Sequence, residues 1–127
     1  MPKGAEKFIQ QIAKEAGAAV LKRFGKDGLH YTKSEHRADA VTKADLLSER
    51  IIISAIRKKY PKHGIIAEES GANRPDAEYV WVIDPIDGTL NFSLDVPMFG
   101  VMVCLMRDNN VILSAVYQPI SKELFFA

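Results

Sequence analysis

The apolar run Tyr79-Val80-Trp81-Val82-Ile83 has the length and the β-branched, aromatic content of a buried strand, and it runs straight into Asp84-Pro85-Ile86-Asp87-Gly88-Thr89. Proline and glycine so close together end a strand in a sharp bend, so this segment predicts where the chain must turn. A second short run, Ile65-Ile66-Ala67, meets Glu68-Glu69-Ser70-Gly71 in the same way. Two strands that both end in acids are expected to lie side by side, with Glu68 opposite Asp84. Functional residues of open α/β layers collect at such strand ends.

Two carboxylates at a bend, Asp84 and Asp87, suit a hard divalent cation. Mg²⁺ takes oxygen ligands in near-octahedral geometry and keeps several waters. Pro85 and Gly88 shape the bend so that backbone carbonyls between the aspartates can turn toward the same ion. Beyond it, the amides of Gly88, Thr89 and Leu90 open a short helical turn, and exposed amides there favour an anion such as phosphate. An Asp-Pro-x-Asp-Gly string is equally a good turn with both acids in water. The acids at 68 and 69 tip the balance toward a metal site.

Upstream, Thr42 followed by Asp45 has the form of a capping box, with Asp where Glu or Gln is more usual. Leu46, Leu47, Ile51, Ile52, Ala55, Ile56 and Tyr60 then keep close to a helical period, with Glu49, Arg50, Arg57 and Lys58 on other faces, which predicts a helix over 42–60. Asp45 has two compatible readings. It complements the helix dipole as a first-turn acid, and it can stand behind the metal site and orient a water.

Phe8, Ile12, Ala16, Val20 and Phe24 recur every fourth residue and predict an amphipathic helix over 5–24, ended by Gly25. Residues 26–38 are polar and read as a mobile loop or a weak hairpin. His30, His36 and His63 lack the spacing of a zinc site and are expected at the surface. Strands follow near 64–67 and 79–83, with 71–76 as a surface turn between them. Phe99–Arg107, Val111–Gln118 and Glu123–Phe126 then form an antiparallel meander, with Asp108-Asn109-Asn110 as a hairpin turn. The fold class is therefore α+β, with layered helices packed on a mainly antiparallel sheet.

The three acidic segments together resemble the inositol monophosphatase family. The resemblance is carried by Asp39-Ala40-Val41-Thr42-Lys43-Ala44-Asp45, by Glu68-Glu69-Ser70, and by Trp81-Val82-Ile83-Asp84-Pro85-Ile86-Asp87-Gly88-Thr89-Leu90-Asn91-Phe92. Lys58-Lys59-Tyr60-Pro61-Lys62-His63 adds to it, and the likeness is greatest to bacterial members described as extragenic suppressors. It implies a Mg²⁺-dependent, lithium-sensitive phosphatase. Glu68, Asp84 and the Ile86 carbonyl would hold one Mg²⁺, and Asp84 and Asp87 a second. Glu68, Thr89 and Asp45 would act on the attacking water, and the backbone of Ile86, Asp87, Gly88 and Thr89 would meet the phosphate. Lys33 is similar to a lysine that approaches the metals in that family. The implied substrate is a small phosphate monoester, inositol monophosphate foremost, and the implied assembly is a homodimer. The alternatives are a fructose-bisphosphatase or nucleotide phosphatase of the same superfamily, or a suppressor-type protein that binds RNA or a transcription complex.

The resemblance covers only a first half. A further aspartate ligand, in a Trp-Asp-x-Ala-Ala-Gly-like stretch, has no counterpart here, and the sequence ends inside an apolar strand pattern at Leu124-Phe125-Phe126-Ala127. Exposed apolar edges invite aggregation. Residues 1–127 are accordingly expected to be one domain, the metal-binding N-terminal half of a longer protein, with weak or no activity unless a second polypeptide completes it.

Composition narrows the rest. A net charge of +1 gives no reason to expect nucleic acid or an anionic membrane as the main partner. The basic run Arg57-Lys58-Lys59 stands where it complements a helix C-terminus. Cys104 is the single cysteine and lies in an apolar run, so it is expected to be a buried hydrophobe in a reducing compartment. No signal-peptide core or bilayer-length apolar stretch is present, and the expected location is the cytoplasm.

Overall fold

The protein is described from a computed structural model that covers residues 1–26, 29–32 and 40–127. Helix α1 spans Ala5–Arg23, a pair of short strands follows as β1 (Leu29–Thr32) and β2 (Ala40–Thr42), and helix α2 spans Lys43–Lys59. Strand β1 pairs antiparallel with β2. Lys33, His36 and Asp39 lie outside the described residues.

The remaining strands are β3 (Gly64–Ala67), β4 (Gly71–Asn73), β5 (Tyr79–Asp87), β6 (Gly100–Arg107), β7 (Asn110–Gln118) and β8 (Glu123–Phe126), with helix α3 (Thr89–Ser93) after β5. They form one sheet in the order β4-β3-β5-β6-β7-β8. Only β3 and β5 run parallel, and the other neighbours are antiparallel. The expected α+β layering and mainly antiparallel sheet are therefore what the chain adopts. The predicted hairpin turn is present, with Asp108 and Asn109 at φ 48° and 64°, the left-handed pair that a tight hairpin requires.

Two expectations need correction. Residues 71–73, read as part of a turn, form the edge strand β4. Strand β5 does not stop at Asp84 but continues through Pro85 and Ile86 to Asp87, with an irregular register against β6 between Asp84 and Asp87. Proline lacks the amide that a regular ladder needs, so the chain keeps its direction by bulging rather than by turning away.

Both long helices cover one face of the sheet. Ile9, Ile12, Ala13, Ala16 and Val20 of α1 and Ile52 and Ile56 of α2 are buried with Trp81, Ile83, Val103, Leu105, Leu113 and Ala115 of the strands. Gly17 brings α1 down onto β7, because a Cβ there would overlap the Tyr117 ring. Trp81 is fully buried, packs edge-on to Phe8 at 5.4 Å, and donates its indole hydrogen to His63 Nδ1 at 3.0 Å. His63 is in turn stacked between Tyr60 and Tyr79, at 4.8 and 5.1 Å. It is thus built into the α2–β3 junction rather than free on the surface.

The opposite face has no helix over it among the described residues. Ladder partners put Ile66, Val82, Cys104 and Ser114 in one row and Asp84, Met102, Val116 and Phe125 in the next. Ile66, Met102 and Phe125 are 37%, 38% and 53% exposed. Cys104 belongs to this open face and is only half-buried, not a core residue as its apolar run predicts. The sulfur's partial burial still raises its pKa above the ordinary thiol value.

Candidate metal and phosphate site

Helix α2 begins with a complete capping box. Thr42 Oγ1 accepts the Asp45 amide at 3.3 Å, while Asp45 Oδ2 accepts the Thr42 amide at 2.9 Å and its hydroxyl at 2.6 Å. The other oxygen, Oδ1, accepts the Thr89 hydroxyl at 2.7 Å. Asp45 is wholly buried, and burial lifts its pKa against the opposing pull of the bonds from Thr42 and Thr89. A first-turn acid of one helix is therefore also tied to the residue that opens α3. Both readings of Asp45 as a group at the site's margin have a geometric basis.

The parallel pairing of β3 with β5 runs Gly64↔Val80 to Ala67↔Ile83, and the Glu68 amide donates to the Ile83 carbonyl at 3.2 Å. Glu68, just past the end of β3, consequently lies level with Asp84 of the adjacent β5, as the two acid-ended runs lead one to expect. Burial, then a side-chain hydrogen bond with Glu68, then the charges of Glu68, Asp87 and Asp45 push the Asp84 pKa up to about 8. Asp84 Oδ1 is inaccessible to solvent and has no hydrogen-bond partner among the described residues. A buried carboxylate oxygen left this way costs on the order of 1–3 kcal/mol.

Past β5, Gly88 takes φ 87°, a conformation open to glycine at little cost, and α3 starts at Thr89. A Cβ on Gly88 would also meet the Met98 carbonyl at 2.9 Å, so the turn has no room for a larger residue. Phe92 anchors α3 in the core against Phe24 and Phe99, with ring centroids at 5.8 and 5.1 Å. The Ile86 side chain is buried, and its carbonyl stands 3.0 Å from Thr89 Oγ1, as a second and longer acceptor position for the one hydrogen that this hydroxyl gives to Asp45. A carbonyl has two lone pairs, so that contact leaves one for another partner.

Glu68, Asp84, Asp87 and the Ile86 carbonyl are all hard oxygen donors, the set that Mg²⁺ prefers. The buried, partnerless Asp84 oxygen fits a cation in kind. No three acidic, histidine or cysteine side chains among the described residues already stand together as an ion cage.

Two residues that the sequence reading passed over are also here. Ser48 donates to the Pro85 carbonyl at 2.8 Å, and Glu49 accepts the Glu69 amide at 3.0 Å and the Ser70 hydroxyl. Both are buried, although Glu49 was expected on a polar face of α2, while Leu46 from the expected apolar stripe is 36% exposed. Their spacing from Asp45, three and four residues, is the signal that could have found them.

Residues 3–127 match the family model described as "Inositol monophosphatase family". The chain belongs to the inositol monophosphatase family. It is 41% identical over 118 residues to the Nus factor SuhB of Pasteurella multocida, covering 92% of this chain and 44% of that protein. It is 38% identical over 119 residues to the fructose-1,6-bisphosphatase/inositol-1-monophosphatase of Aquifex aeolicus, covering 93% of this chain and 45% of the relative. Among solved structures, the extragenic suppressor protein suhB of Bartonella henselae superimposes with a TM-score of 0.91 at 31% identity, over 98% of this chain and 49% of that one. The Thermotoga maritima IMPase does so with a TM-score of 0.84 at 30% identity, over 95% and 46%. The chain thus spans about half the length of the family members it matches. No helix among the described residues is long and apolar enough to cross a membrane.

Proposed function

We propose that these residues form the cation-binding and water-orienting part of a Mg²⁺-dependent phosphomonoesterase, with inositol monophosphate as the foremost substrate. The observation that carries the reading is Asp84, a half-buried acid crowded by Glu68 and Asp87, with one enclosed oxygen unpartnered among the described residues. Glu68, Asp84, Asp87 and the Ile86 carbonyl would hold the metal. The chemistry such a cation supplies is neutralisation of the phosphate's charge and activation of water at neutral pH.

The rest follows from the chain's own groups. Asp45 takes the hydrogen of the Thr89 hydroxyl, which fixes that hydrogen and leaves the oxygen's lone pairs free to accept one from a water. Glu68, exposed at the end of β3, is a second acceptor for the same water. The backbone of Ile86, Asp87, Gly88 and Thr89 meets the phosphate, and the narrow turn at Gly88 keeps side chains out of its approach. Family membership and the phosphatase name of the Aquifex aeolicus relative support this reading.

The test combines calorimetric Mg²⁺ titration with phosphate release from a panel of phosphomonoesters, inositol 1-phosphate among them. Mg²⁺ binding that Asp84→Asn abolishes, with any release confined to Mg²⁺-containing reactions, is the expected result. A wild-type chain that binds no Mg²⁺ ends the proposal. The relatives named Nus factors favour a second reading, a transcription-complex partner. Partner binding that survives Asp84→Asn would single it out.

A further inference from the structure

Asp45, Ser48 and Glu49 lie on one face of α2 and are 0%, 0% and 3% exposed. Each reaches a different segment of the site. Asp45 holds Thr89 after the end of β5, Ser48 holds the Pro85 carbonyl inside the β5 bulge, and Glu49 holds the Glu69 amide and Ser70 hydroxyl beyond β3.

Two features make Ser48 and Glu49 more than filling. Pro85 sits where the β5–β6 register breaks, and Ser48 supplies a donor to a carbonyl in that irregular stretch. Glu49 is a carboxylate at an almost solvent-free position, where an apolar side chain of similar volume would pack at lower desolvation cost. What the carboxylate gains is a pair of directed contacts to residues 69 and 70, next to Glu68. We infer that Ser48 and Glu49 are positioning residues that set the spacing of Glu68 from Asp84, and so the affinity of the site for a divalent cation. Ser48 fixes the strand segment just after Asp84, and Glu49 fixes the turn just after Glu68. One rigid helix face gauges the distance between the two acids.

The inference rests on the metal-binding reading above, and its experiment keeps the two apart. Ser48→Ala, Glu49→Gln and the wild type are melted over a Mg²⁺ titration, with the metal-free melting temperature as a separate readout. Glu49→Gln keeps shape but cannot accept both hydrogens, and Ser48→Ala leaves a good helix former in place. Each variant is expected to need on the order of tenfold more Mg²⁺ for the half-maximal shift, as when an outer partner of a metal ligand is removed. The saturating shift should be retained. Variants that only lower the metal-free melting temperature, with the Mg²⁺ midpoint unchanged, show a purely structural role and overturn the inference alone. A wild type indifferent to Mg²⁺ overturns the reading of the site and this inference with it. Should Glu49→Gln fail to fold, Ser48→Ala decides the matter.

Discussion

The first turn of α2 buries one aspartate and β5 half-buries another, and the protein treats them in opposite ways. Asp45 receives hydrogens from the Thr42 amide, the Thr42 hydroxyl and the Thr89 hydroxyl, so both its oxygens are occupied. Asp84 is set among Glu68, Asp87 and Asp45, with one oxygen enclosed and unmatched among the described residues. Both groups have raised pKa values, yet for different balances: burial is offset by donors at Asp45 and reinforced by acids at Asp84. A satisfied buried acid holds a fold together. An acid crowded by other acids stores a demand for positive charge.

The contrast can be broken most decisively with Mg²⁺. At a concentration 100 times Kd, binding contributes about 2.7 kcal/mol, which for a domain of this size raises Tm by roughly 10 °C. Asp84→Asn should abolish the rise, measured by calorimetry or dye-based melting; a full rise in that variant would refute the assignment. Without metal the two aspartates should part in sign. Asp45→Ala removes a helix cap and a tie to Thr89 and should cost about 1–2 kcal/mol, whereas Asp84→Asn keeps the side chain's shape with a group that stands beside Glu68 and Asp87 without taking up a proton, and should be neutral or stabilising. Urea midpoints for both variants check this, and equal losses would erase the distinction.

The smallest effect separates carboxyl titration from that of His63. Burial lowers the His63 pKa below the ordinary imidazole value, with the Glu78 charge opposing, and Nδ1 already accepts the Trp81 hydrogen. The folded state therefore binds fewer protons than the unfolded one near and below about pH 6.5. Stability present above that pH is lost as pH falls through it. Melting at pH 7.5 and 5.5 should show a loss in the wild type that His63→Gln reduces, leaving the aspartates' own dependence in view. An identical loss in His63→Gln would mean that the ring carries none of it.

Much of this was legible in the chain because the signals were local. The Thr42–Asp45 box, the four-residue period from Phe8 to Phe24 and the acid-ended runs at 65–69 and 79–84 each specify an element from neighbouring residues. What escaped depends on distant packing. Pro85 looks like a strand terminator, but β6 holds the bulged strand in register on both sides. Ser48 and Glu49 look like solvent-facing residues until the ends of β3 and β5 arrive against α2. Polarity alone reports that a side chain wants a partner; only the tertiary fold decides whether that partner is water or backbone.

Trp81 is the sole tryptophan of the chain, and it occupies β5 beside Ile65 of β3, three residues ahead of Asp84. Ultraviolet-excited indole emission therefore originates at one point, on the very seam that sets the two acidic strands against each other. A spectroscopist needs no attached dye: loosening of that seam should redden the native fluorescence, and quenching by a protonated His63 ring should register in the same channel.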